Sequence, residues 1–194
     1  MRLYYFDRYE GNRSGGHTTE SLARTALGLE AAKTGSGIAP FLTEETGLSR
    51  TEKGKPYLPD HPVHFSISHS GSLWVLLAAS QPVGVDIQKS DHDNYDAISR
   101  RFFQPGEQKA VEAGGLRAFI GIWCRKEAYI KLKGSSLGDT LDWLDVAPAG
   151  ILLDRAVIRG ETVYFRECGL ADGYVCVAAS HEEEDIWTCK INIE

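Results

Sequence analysis

Ser72–Ser80 reads SLWVLLAAS, and one hundred residues further on Asp172–Ser180 reads DGYVCVAAS. Four of the nine positions are identical, and an aromatic residue precedes the shared valine in both stretches. Self-similarity of this kind is weighed before any element is assigned, because an overlooked duplication misassigns the whole fold. The surroundings agree with a repeat. Each half offers a helical stretch ending in lysine and then glycine, Glu20–Lys33 before Gly35 and Leu116–Lys133 before Gly134. The first has Thr18 or Thr19 as N-cap and Leu22, Ala26 and Leu29 at helical spacing, and the glycines suit helix C-caps.

Strand patterns run over Leu3–Phe6, Val63–Ser68, Leu73–Ala79 and Val83–Ile87 in the first half. In the second they cover Leu152–Arg159, Thr162–Glu167, Tyr174–Ala179 and Ile186–Ile191, with a hairpin turn at Arg159–Gly160–Glu161. The polar stretch Gln88–Asn94 breaks the periodicity and reads as a connector. The expected fold is α+β. Two pseudo-duplicated halves, 1–90 and 91–194, form one compact unit about a pseudo-twofold axis, with any ligand site at the seam between them.

Composition narrows the function classes. The chain has 194 residues, 42% of them apolar, with 21 basic and 27 acidic side chains and a net charge of −6. Such a chain buries an ordinary core, which excludes disorder and a coiled coil. The longest apolar run, Leu73–Ala79, falls far short of the ~20 residues of a membrane helix. The opening MRLYYFDRYE lacks the features of a secretory signal, so a cytoplasmic protein is expected, with neither membrane nor nucleic acid as partner. Cys124, Cys168, Cys176 and Cys189 contain no CxxC pair and read as reduced thiols. Charge is uneven: residues 100–133 carry eight basic and three acidic side chains, or +5. That is either a solvated helix face or an attractor for an anion or acidic partner.

Three segments carry chemistry. Gly54–Lys55–Pro56 is followed by Phe65–Gly71, FSISHSG, where a strand ends in hydroxyls, an imidazole and free N–H groups able to hold a phosphate; on its own SHSG is an ordinary serine-rich turn. Val83–Gln88, VGVDIQ, sets one carboxylate, Asp86, among apolar residues. There a charge needs a partner, a hydrogen bond or a metal, although a turn-forming Asp is the plainer reading. In Trp123–Gly134, WCRKEAYIKLKG, Glu127 and Lys131 share a helix face at i, i+4, which by itself makes an ordinary ion pair. Together the segments supply two carboxylates and several cations, the parts that grip a divalent ion and a phosphate.

In this order the motifs GKP (54–56), FSISHSG (65–71), GVDI (84–87), RFFQPGE (101–107) and WCRKEAYIKLKG (123–134) resemble the 4′-phosphopantetheinyl transferase superfamily, specifically its Sfp-type with two fused pseudo-repeats. A weaker match covers Ala23–Leu27. The resemblance implies an enzyme that moves the phosphopantetheine arm of coenzyme A onto a serine of an apo acyl or peptidyl carrier protein and releases adenosine 3′,5′-bisphosphate. By the same resemblance Asp86 and Glu127 hold Mg²⁺ (or Mn²⁺), Glu127 accepts the serine proton, and Lys131 neutralises the pyrophosphate with help from Lys126. Arg24, Lys55, Ser68 and His69 are the implied nucleotide and 3′-phosphate contacts, and Phe102 and Phe103 belong to a carrier-docking surface unless they are core. Gln88 departs from the pattern, since many members have an acidic residue there. It stands as a further metal ligand through its carbonyl oxygen, with a raised Mg²⁺ requirement expected.

The alternative is a catalytically weakened module that binds coenzyme A or a carrier protein. A serine hydrolase built on Ser68 or Ser70 with His69 lacks the GxSxG elbow. Zinc at His61 and His64 lacks a cysteine pair to complete it. Because an internal duplication does the work of a dimer interface, a monomer is expected.

Overall fold

The computed structural model describes residues 1–11, 17–35, 48–59 and 61–193. Ten strands and four helices are assigned among them, in the order β1 (Arg2–Phe6), α1 (Thr19–Thr34), β2 (Ser49–Arg50), β3 (Pro56–Tyr57), β4 (His64–Ser70), β5 (Leu73–Ala79), β6 (Val83–Lys89), α2 (Tyr95–Phe102), α3 (Pro105–Lys133), α4 (Leu137–Thr140), β7 (Arg155–Ile158), β8 (Glu161–Cys168), β9 (Tyr174–Ser180) and β10 (Trp187–Lys190). The architecture is α+β. One sheet runs β10-β1-β5-β4, a second runs β6-β9-β8-β7, and β2 and β3 form a small ribbon.

The two similar stretches become β5 and β9, each paired on both sides. A common order surrounds them. In both sheets a first strand (β1 or β6) leads into a helix (α1 or α3) and then a hairpin (β4–β5 or β8–β9), and the first strand pairs antiparallel with the hairpin's second strand. β10 adds to β1 in parallel. Strand membership therefore does not divide at residue 90. β6, inside 1–90, hydrogen-bonds to β9, and β10, inside 91–194, completes the first sheet. Pairing is decided by which edges are left open in space, and sequence order does not set it.

Three cores follow from strand alternation. Tyr4, Phe6, Phe65, Trp74 and Leu76 pack against Leu22, Ala23, Ala26 and Leu27 of α1. On the opposite face Leu73, Val75 and Leu77 meet Val83, Val85, Ile87, Cys176 and Ala178, joining the two sheets. Val163, Phe165, Val175 and Val177 then pack against α3. Cys124, Cys168 and Cys176 are buried, Cys189 is half-buried, and all four are free thiols.

Thr18 caps α1 by accepting from the Ser21 N–H at 3.1 Å, and Gly35 ends it in the left-handed region at φ 64°. α3 is two helical segments joined at Gly115, whose φ of 59° and ψ of −145° favour glycine. Its second segment coincides with the expected Leu116–Lys133. Its first starts at Pro105 and is tied down by the Gln104 N–H donating to Glu107 Oε2 at 2.8 Å. The expected connector shortens, since Gln88 and Lys89 extend β6 and α2 begins at Tyr95. Among the described residues no helix is long and apolar enough to cross a membrane.

Candidate active site

β4 and β6 are neighbouring edges of the two sheets, and the C-terminal half of α3 lies across β6. Gly84 permits this approach: a Cβ there would stand 1.9 Å from the Ala128 carbonyl oxygen. Alternation then directs Asp86, two residues on, toward the same helix.

Asp86 is 2% exposed and well partnered. Its Oδ1 accepts from Ser68 Oγ at 2.7 Å and from Lys131 Nζ at 2.7 Å, and its Oδ2 accepts from Gln88 Nε2 at 3.0 Å. Lys131 Nζ also donates to Ser68 Oγ at 2.9 Å. Glu127, one helical turn before Lys131, is half-buried. Burial and then the neighbouring Asp86 charge push its carboxyl upward, with Lys131 opposing. Two carboxylates set close enough to repel, with a lysine between the strand and the helix, form a place where added positive charge is stabilised.

These groups line a cavity of about 640 Å³ whose wall continues through Lys55, Ser68, His69 and Gln88. Lys55 Nζ donates to the carbonyls of Val83 at 3.1 Å and Leu132 at 3.4 Å, bridging β6 to the end of α3. Burial pushes its ammonium down to about 8. His69 lies 5.0 Å from the Tyr9 ring. Burial and then Lys131 lower its imidazole, with Asp86 opposing. Ser68 Oγ is engaged by Asp86 and Lys131, which does not support the nucleophile of a serine–histidine pair.

Two expected contacts sit elsewhere. Lys126 points away from the cavity into the core, 0% exposed, with Nζ 2.8 Å from Glu107 Oε2 and a bond to the Leu144 carbonyl. It holds α3 together and cannot reach a cofactor in the cavity. Residues 126 and 127 are adjacent on the helix and about 100° apart around it, so only one of them can face the strand edge. Arg24 is on α1, paired with Glu20 Oε1 at 3.0 Å, and of the two only Glu20 lines the cavity. Arg50, Lys53 and Glu20 are lining residues that the motifs did not single out. A cluster of three cations, Arg50, Lys53 and Lys55, was a signal available for the first two. Phe103 is core, stacked on Phe119 at 5.2 Å, while Phe102 is exposed beneath the Arg101 guanidinium.

A divalent ion fits the donor set present. Among the described residues no cluster of three or more His, Cys, Asp or Glu side chains forms a closed metal cage. Two carboxylates and an amide on one open cavity suit an ion that takes its remaining oxygens from water and phosphate.

The family model described as the 4′-phosphopantetheinyl transferase superfamily matches residues 82–174, the span that includes β6, α3, Asp86, Glu127 and Lys131. Over that span, just under half of its length, this chain is similar to that superfamily. Its relatives include a 4′-phosphopantetheinyl transferase of Bacillus subtilis, 37% identical over 134 residues, covering 66% of this chain and 59% of the relative. The 4′-phosphopantetheinyl transferase Sfp of Bacillus subtilis (strain 168) is 40% identical over 105 residues, covering 51% of this chain and 46% of the relative. The 4′-phosphopantetheinyl transferase gsp of Aneurinibacillus migulanus is 31% identical over 137 residues, covering 68% and 56%. The chain thus spans about half the length of these phosphopantetheinyl transferases. Within the superfamily match lie both carboxylates, Lys131 and Gln88, whereas Lys55, Ser68 and His69 lie before it.

Proposed function

We propose that this chain transfers the 4′-phosphopantetheine arm of coenzyme A to a serine of an apo acyl or peptidyl carrier protein and releases adenosine 3′,5′-bisphosphate. The observation that carries this reading is the convergence of Asp86, Glu127 and Lys131, from a strand edge and a helix, on one cavity with a cationic wall. The carrier serine oxygen forms the new bond to the pantetheine-bearing phosphorus, and the bond from that phosphorus to the bridging oxygen of the nucleotide breaks. Glu127 takes the serine proton, directly or through water. Lys131 stands where negative charge gathers on the leaving bisphosphate. Lys55 and His69 orient the nucleotide end. Asp86 and Glu127, with the Gln88 amide oxygen turned inward, would hold Mg²⁺ or Mn²⁺, which supplies positive charge to the pyrophosphate. Because Gln88 brings no charge, a higher Mg²⁺ requirement than with an acidic residue follows.

Nucleotide release measured by chromatography tests the reaction. Adenosine 3′,5′-bisphosphate should appear one for one with modified carrier, stop when EDTA removes divalent ions and resume on adding Mg²⁺. Release that ignores EDTA, or that proceeds without a carrier, contradicts the proposal.

A further inference from the structure

β4 and β6 end their respective sheets on the same seam, yet no backbone ladder joins them. Three serines bridge the gap at one constant offset. Ser66 Oγ accepts from the Val85 N–H at 3.0 Å, Ser68 Oγ from the Ile87 N–H at 3.4 Å and Ser70 Oγ from the Lys89 N–H at 3.0 Å. These serines occupy alternate positions on β4, so they share a face. They meet alternate N–H groups on β6, which an edge strand would otherwise leave unpaired. Ser66 is 2% exposed and Ser68 is 7% exposed, so solvent does not substitute for the first two rungs, while the Ser70 rung lies at the exposed end of the seam.

The middle rung also holds Asp86, since Ser68 accepts from Ile87 while giving its own proton to Asp86 Oδ1. A direct ladder would bring the strands to ~4.8 Å and merge the two sheets. A hydroxyl ladder places a side chain's length between the edges, and the buried Asp86 lines the cavity at that seam.

We infer that this serine ladder fixes the position of Asp86, and that its outer rungs, Ser66 and Ser70, are positioning residues for the metal site. The inference rests on the reading of Asp86 as a metal ligand. Ser66 lines the inner cavity and Ser70 lies outside its described lining. Both act through β6: Ser66 holds the N–H of Val85, next to Asp86, and Ser70 holds that of Lys89, three residues beyond it on the same strand.

The test uses the full chain with Ser66→Ala, Ser70→Ala and Ser70→Thr. Amide exchange followed by NMR should accelerate about tenfold at Val85 in Ser66→Ala and at Lys89 in Ser70→Ala, while Leu76 in β5 stays as in wild type. Mn²⁺ binding, read by electron paramagnetic resonance without coenzyme A, should weaken about tenfold in either alanine variant. Ser70→Thr, which keeps the hydroxyl, should restore both readouts. Unchanged exchange at Val85 and Lys89 overturns the ladder. Faster exchange with unchanged Mn²⁺ affinity overturns the positioning role. A wild-type chain that takes up no Mn²⁺, with exchange behaving as stated, also overturns that role and places the fault in the metal-ligand reading instead of the ladder.

Discussion

Lys55 couples the cavity to pH through its burial. Its ammonium, ordinarily near 10.5, loses its proton near 8 in the folded chain because solvent is withdrawn from it. Below that value a positive charge faces the cavity, and an anionic ligand bound there is stabilised by it. Coenzyme A affinity should therefore fall as pH rises through about 8, and isothermal calorimetry should show proton uptake on binding above that pH. In Lys55→Met this decline and its proton uptake should vanish. Stability runs in the other direction. Between about 8 and 10.5 the unfolded chain keeps a proton that the folded chain has lost, so this residue's contribution to stability rises with pH across that window. A wild-type affinity as flat with pH as the variant's would contradict the assignment.

Between elements, the buried pair Lys126–Glu107 ties the two segments of α3 together across Gly115. Glu107 also accepts from the Val146 N–H at 2.9 Å, fixing the loop that follows α4. Removing one partner strands a buried charge, so Lys126→Met should cost about 3–5 kcal/mol in urea unfolding, and Lys126→Met with Glu107→Leu should recover most of it. A single variant as stable as wild type would contradict a structural role.

Lys126 also shows where the sequence stops being legible. In WCRKEAYIKLKG it reads as one more cation beside Glu127, and only the packing against Glu107 and Leu144 turns it inward. The strands of the two four-stranded sheets and the Leu116–Lys133 helix were readable because their apolar spacing is local, while the short β2–β3 ribbon was not expected. α2 and the first turns of α3 were not singled out, since RFFQPGE was read as a motif and its Pro-Gly also suits a turn. For β6 and β10, strand character was legible but sheet membership was not. Asp86, Glu127 and Lys131 were singled out by motif order, while Arg50 and Lys53 join the cavity only through the placing of the 48–59 segment.

For the molecule as a whole, the +5 window at 100–133 is less of a free field than its sum. Among the described residues six of its eight cations are paired: Arg100 with Asp96, Arg117 with Glu167, Arg125 with Asp154, Lys126 with Glu107, Lys131 with Asp86 and Lys133 with Glu161. Arg100 keeps 75% of its side chain exposed, and Arg101 lies over the exposed Phe102. If this corner meets an acidic carrier, Arg100→Glu with Arg101→Glu should weaken carrier binding about tenfold at low salt and flatten its salt dependence. Equal affinity and salt slope would move the docking surface elsewhere. The central claim is the transfer reaction run by two carboxylates on one cavity. Intact-mass spectrometry of an apo carrier protein incubated with coenzyme A, Mg²⁺ and this chain, or its Asp86→Ala or Glu127→Ala variant, tests it most directly. The account predicts one added phosphopantetheine (~340 Da) with the wild-type chain and none with either variant over the same time, since such transfers depend on positioned charge. Full modification by both variants, or none by a wild-type chain that binds coenzyme A, would contradict it.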